Sequence, residues 1–341
     1  MPKNNSFNFT IRMNFSITQE VQEGLPLYRI SHAGSGTSVA LLPGYGASWH
    51  EWIVPLRGTT LNLIDNYSSR GHIEKEFSLS YKSAKLSPFV CRIPEGKYQW
   101  GGTAYELSRK FIDGSAIHGL LFNKPFRVID EQIEEHNASI RMKYHYRRDD
   151  PGYPFELTCE IVYTLQDDLT LTVETTILNL DDSAIPLADG WHPYFSLGGT
   201  INSYQLGIAS RTMLEFNEKL IPTGNLQHDE RFVHPSPLNS TFLDNCFQLE
   251  AAHDSPVCTL HNPENGLTLL FFTDESYPYL QLYTPDHRKS IAIENLSAAP
   301  DCFNNGMGLL ILEPRRSASF TVSYRIQLPE MPYFAGNTPD L

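Results

Sequence analysis

Ionisable residues sit among apolar neighbours in a few short stretches of this chain, and their types suit acid–base chemistry. In "ADGWHPYFSLG" (188–198), His192 lies between Trp191 and Pro193, with Tyr194 and Phe195 behind it. "SIAIENLSAAPDCFNN" (290–305) places Glu294 at the end of an apolar alternation, "AIHGLLF" (116–122) sets His118 before Gly119, and "SPFVCRIPEGKYQWGGTAYEL" (87–107) carries Arg92 inside an apolar run. Taken singly, each has an ordinary structural explanation. His192 could be a hydrogen-bonded core histidine and His118 a turn residue. Glu294 could be a charge that discourages strand pairing, and Arg92 could lay its stem on aromatics with its head in water. Other chemistries lack their motifs: no G-x-S-x-G elbow, no helical His pair with Glu, no G-x-G-x-x-G and no phosphate loop. One Glu, two His, one Arg and a supporting Asp remain. That set suits proton transfer between oxygen atoms, with neither metal nor cofactor called for.

Strands must position these residues. "ELTCEIVYTL" (156–165) and "LTLTVETTILNL" (169–180) alternate apolar with polar residues around the short turn "QDD", so they read as a hairpin. "SIRMKYHYRRD", "LTLLFFTD", "YLQLYTPD", "SIAIENL" and "SASFTVSYRIQL" repeat the pattern. Only "DEQIEEHNA" hints at a helix, and "YRRDDPGYPFE" reads as a solvated turn. No βαβ alternation, linker or repeat interrupts the strands. The expectation is therefore all-β, one large antiparallel β-sandwich, with residues 1–341 as a single domain.

The 341 residues carry a net charge of -13, which argues against nucleic acid and anionic membrane surfaces as partners. No apolar run approaches the ~18 residues of a membrane span, and "MPKNNSFNFTIRMNFSITQEV" has no continuous apolar core of a signal peptide. The five cysteines are odd in number, scattered and without a C-x-x-C pair. They fit buried thiols in a reducing compartment, so a cytoplasmic location is expected.

From about residue 25 to 328 the chain resembles the aldose 1-epimerase (galactose mutarotase) family. The resemblance is carried in order by "CRIPEGKYQWGGTAYEL", "AIHGLL", the stretch from "PGYPFELTCEIVYTL" to "GWHPYFSL", "FLDNCFQL", "YPYLQLYTPD" and "IAIENLSAAPDCFNNGMGLLILEPRRSASFTVSYRI". It implies the galactose mutarotase-like supersandwich and interconversion of the α and β anomers of a small-molecule sugar, an aldohexose. By position, His192 matches the general acid at the ring oxygen and Glu294 the base at the anomeric hydroxyl. Arg92, His118 and Asp244 match residues that hold the sugar's hydroxyls and ring. Acid and base are expected on opposite sides of the sugar ring, with His192 protonated at rest. Trp191, Pro193, Tyr194 and Phe195 are expected to collar the imidazole, and Trp100 or Trp191 to meet a sugar face. Leu120, Asn295 and Leu296 depart from the family pattern beside the expected substrate positions. Two alternatives stay open within the superfamily: a hexose-6-phosphate epimerase, with "YHYRRDD" or "DHRKS" supplying the cations, and a non-catalytic sugar-binding protein.

Overall fold

The computed structural model describes residues 14–250 and 255–329. The first thirteen residues, most of the segment read for a targeting signal, lie outside the described part. The alternation seen in the sequence becomes a set of antiparallel sheets. A nine-stranded sheet runs, in spatial order, through Arg127–Ile133, Asn137–Arg147, Glu156–Gln166, Thr170–Asn179, Ser317–Gln327, Leu267–Thr273, Cys258–Asn262, Gln205–Ile208 and Ser236–Pro237. An eight-stranded sheet runs through Pro222–His228, Thr212–Phe216, Asp244–Gln248, Tyr279–Tyr283, Ile291–Leu296, Gly190–His192 and Ala84–Leu86, with Tyr194–Phe195 paired to Ile291–Leu296 off that path. Five strands from Phe15–Gln22 to Thr59–Asn62 form a third sheet.

The period of two explains the layering. Along Glu156–Gln166 every second residue is fully buried, and the hairpin pairs Leu165 with Leu171. The two large sheets bring their inner faces together: Tyr163 meets Trp191 edge-on at 5.8 Å, and Phe195 packs on Phe271 and Tyr324. Ile291–Leu296 is buried on both faces. Its odd positions face the nine-stranded sheet, where Tyr324 donates to Asn295 Oδ1 at 2.9 Å. Its even positions, Glu294 among them, face the other way. All five cysteines are buried and free.

The structure departs from the sequence reading in three places. "DEQIEEHNA" runs through the exposed edge strand Arg127–Ile133 and the turn after it, because a strand with no buried face has no apolar alternation to display. A helix does form at Arg70–Ser80: the Ser69 side chain accepts from the His72 N–H, and Tyr81 closes it in a left-handed conformation. "YRRDDPGYPFE" is only partly solvated, since Asp150, Tyr153 and Phe155 are buried. The Asp150 carboxylate accepts from the Ser108 and Gly152 N–H groups and so folds the turn inward.

Candidate active site

One cavity of about 260 Å³ opens on the outer face of the eight-stranded sheet, lined by Arg92, His118, His192, Asp244 and Glu294 together. Sheet register gathers them. Gln281 lies opposite Glu294, and Tyr283 opposite Asp244, so three neighbouring strands aim alternate side chains into one space. His192 arrives on Gly190–His192, the next strand along. Arg92 and His118 come from outside this sheet, on a two-stranded ladder that pairs Arg92 with Ile117. His118 has φ 59 and Gly119 φ 74, which turns the chain sharply and points the imidazole inward.

At the floor, His192 Nε2 lies 3.3 Å from Glu294 Oε1, and both side chains are nearly out of solvent. The residues expected as acid and base are therefore in direct contact rather than on opposite sides of a ring-sized gap. The His118 ring meets His192 edge-on at 4.9 Å, and Tyr81 packs on His118 at 4.7 Å. Tyr194 lies parallel to His192 at 5.0 Å. Gln281 donates to Asp244 Oδ1 at 2.8 Å, and Arg92 to Asp113 Oδ2 at 2.5 Å. Buried polar atoms without a protein partner include His118 Nδ1, His192 Nδ1, Gln281 Oε1 and Glu294 Oε2. Such atoms in a cavity are where a polar ligand would bond. His118, His192 and Glu294 each offer an atom within 4.8 Å of the others, a donor set that could also accept a divalent ion such as zinc.

Burial sets the protonation. It drives Glu294 well above the carboxylate range, helped by the Asp244 charge. It drives His192 down to about 3. His118 is pushed well below its ordinary value by burial, then by His192 and the Arg92 and Arg109 cations. Asp244 rises through burial, against Arg92 and Gln281. Burial thus favours the neutral form of each partner, with the proton on the carboxyl rather than on the imidazole. A resting imidazolium was the expectation. Desolvation runs against it, since an ion pair in so dry a place costs more than its neutral form.

Other expectations also need correction. Trp191 faces the inter-sheet core, Phe195 packs there too, and Trp100 bonds the Ala184 carbonyl outside the cavity. The cavity's aromatic walls are Tyr81, Phe111, Tyr194, Phe216 and Tyr283. Leu120, Asn295 and Leu296 do not line it. Gln281 and Tyr81 were not anticipated. Gln281 is the one polar side chain in the apolar strand "YLQLY", a signal that could have marked it; Tyr81 depended on the unforeseen helix end.

Comparison with known proteins finds relatives in sequence and in fold. The chain is 29% identical over 250 residues to the uncharacterized protein YihR of Escherichia coli K12, covering 71% of this chain and 78% of that protein. It is 23% identical over 294 residues to an aldose 1-epimerase of Haemophilus influenzae, covering 79% and 82%. A galactose mutarotase-like protein of Clostridium acetobutylicum superposes with TM-score 0.82 at 16% identity, covering 93% of this chain and 99% of that one. The galactose 1-epimerase of Lactobacillus acidophilus gives 0.76 at 19%, covering 94% and 100%. These two structures share the fold. Residues 26–325 match the family described as aldose 1-epimerase, and with that match over most of its length the chain belongs to the aldose 1-epimerase family.

Proposed function

We propose that the protein interconverts the α and β anomers of a neutral aldohexose, with Glu294 and His192 as base and acid. The observation that carries this reading is the 3.3 Å contact of His192 with Glu294 in a cavity also lined by Arg92, His118 and Asp244. The anomeric hydroxyl and the ring oxygen are bonded to the same carbon, so the groups that serve them must be neighbours. In the charged form of the pair, Glu294 takes the proton of the C1 hydroxyl. The C1–ring-oxygen bond breaks, and His192 gives its proton to the ring oxygen. The carboxyl is now protonated and the imidazole neutral, the distribution that burial favours. Rotation about C1–C2 turns the aldehyde. The pair then runs backwards: His192 recovers the hydroxyl proton as that oxygen attacks C1 from the other face, and Glu294 returns its proton to the new anomeric oxygen. One proton circulates and none is lost. Arg92, His118, Asp244 and Gln281 hold the remaining hydroxyls.

A phosphorylated sugar fits less well. "YHYRRDD" and "DHRKS" contribute nothing to the cavity wall. Arg148 pairs with Asp181, and Arg288 is spent on the Asn202 side chain and the Thr241 carbonyl. Among the described residues the one arginine lining the cavity, Arg92, already faces Asp113. The test is anomer exchange, followed by polarimetry or NMR, against a panel of aldoses and their 6-phosphates. Acceleration for a neutral aldohexose is the expected result. Binding without acceleration for every sugar would leave a sugar-binding protein instead.

A further inference from the structure

A fully buried ion pair lies near the cavity, and neither of its residues lines it. Lys85 and Asp189 have no solvent exposure, with Nζ 2.5 Å from Oδ1. Burying two charges is costly, and well-packed apolar residues often serve stability as well or better. What the pair holds gives it a purpose. Asp189 stands three residues before His192, and Ser297 three residues after Glu294. These two are stapled reciprocally: the Asp189 N–H donates to Ser297 Oγ and the Ser297 N–H to the Asp189 carbonyl, both at 2.8 Å. Lys85 lies opposite Trp191 in the ladder, with Ala84 opposite His192. Its ammonium is capped by the Trp191 ring at 4.4 Å and donates to Thr175 Oγ1, in the nine-stranded sheet, at 3.0 Å. Tyr277 OH donates to Asp189 Oδ1 at 2.7 Å. The strands bearing acid and base are thus tied to each other and to the opposing sheet at a single charged knot.

We infer that Lys85 and Asp189 are positioning residues that fix the separation of His192 and Glu294. Transfer of one proton around a hemiacetal tolerates little error, since a displacement of about 1 Å can reduce turnover ~100-fold. An ammonium wedged between two sheets, unable to reach water, resists sliding of one strand past the other better than an apolar side chain of equal size. The kinetic part of this inference rests on the anomer-exchange reading; its spectroscopic part does not.

The test is the double variant Lys85→Met with Asp189→Asn, which removes both charges and leaves an amide oxygen for Tyr277. Ser297→Ala is a milder second variant that cuts the staple alone. Ring-nitrogen NMR of His192, assigned by loss of its signals in His192→Asn, is read beside kcat, KM and the urea midpoint. We expect the double variant to unfold cooperatively, keep KM within about 2-fold, lose at least ~10-fold in kcat, and shift or broaden the His192 signals. Ser297→Ala should show the same pattern more weakly. Unchanged kcat and unchanged His192 signals in a folded variant, with only the urea midpoint moved, would overturn the inference. If the double variant does not fold, Ser297→Ala decides by the same readouts. If the parent exchanges no anomers, the functional reading falls, and the His192 signals alone decide this one.

Discussion

At the scale of the residue, the chemistry turns on where one proton rests. Because the active pair must hold that proton, activity should fall on both sides of an optimum, with limbs that belong to the coupled pair. The acid limb is the second proton arriving on His192, whose pKa is pushed down to about 3. The alkaline limb is the loss of the first from Glu294, whose carboxyl is raised. His192→Asn should lower kcat ~100-fold or more and abolish the alkaline fall, since ionised Glu294 would then be the better base; a pH–rate series checks it. His118→Asn, which changes the neighbouring ring, should mainly raise KM. Glu294→Gln keeps the shape and removes the base, so anomer exchange should fall ~10²- to 10⁴-fold while sugar binding by calorimetry changes far less. The same variant has a stability signature. A carboxyl raised by burial keeps its proton in the fold after the unfolded chain has lost it. The parent therefore loses stability as pH climbs from the carboxylate range towards the raised value. Glu294→Gln escapes that loss, so its advantage in urea unfolding should grow between pH 5 and 8, by about 1 kcal/mol or more. An advantage independent of pH would mean that Glu294 is ionised in the fold.

At the scale of the element, what the sequence displays depends on how completely an element's faces differ. The hairpin of Glu156–Gln166 with Thr170–Asn179 was legible because one face is fully buried. The helix Arg70–Ser80 was not, because it buries only Ile73 and Phe77 and carries a glycine in its first turn. The same contrast holds in the cavity. His192 and Glu294 advertise themselves as ionisable residues in apolar strands, and Asp244 follows from the family motif. Gln281 and Tyr81 acquire their places only through register and a helix end, which no local pattern encodes. The turn at His118–Gly119 shows how far a cavity-lining side chain can depend on backbone. A Cβ on Gly119 would lie 2.3 Å from the Ser87 carbonyl oxygen, in a conformation with φ +74. Gly119→Ala should therefore destabilise the protein by about 2 kcal/mol or more. It should also raise KM, because His118 swings with the turn; urea unfolding and sugar titration check the two parts separately.

At the scale of the whole molecule, the surface and the cavity impose separate conditions on the substrate. The chain carries a net charge of -13, so a dianionic sugar is repelled before it arrives. Inside, Asp244 adds an acidic group, while Arg92 is engaged with Asp113. These two effects can be separated by salt. Repulsion from surface charges is screened over a Debye length of about 8–10 Å near physiological ionic strength. The absence, among the described residues, of a free cation in the cavity wall is a matter of contact and is screened much less. A hexose 6-phosphate should accordingly show a lower kcat/KM than the same hexose unphosphorylated. Raising the salt concentration should recover part of that deficit and leave the rest. The comparison is made with one hexose, its 6-phosphate and a salt series on the unmodified protein. Full recovery would assign the discrimination to the surface alone and leave the cavity indifferent to phosphate. A preference for the phosphorylated sugar at every salt concentration would mean that Arg92 releases Asp113 to bind it, and that the neutral-sugar reading is wrong.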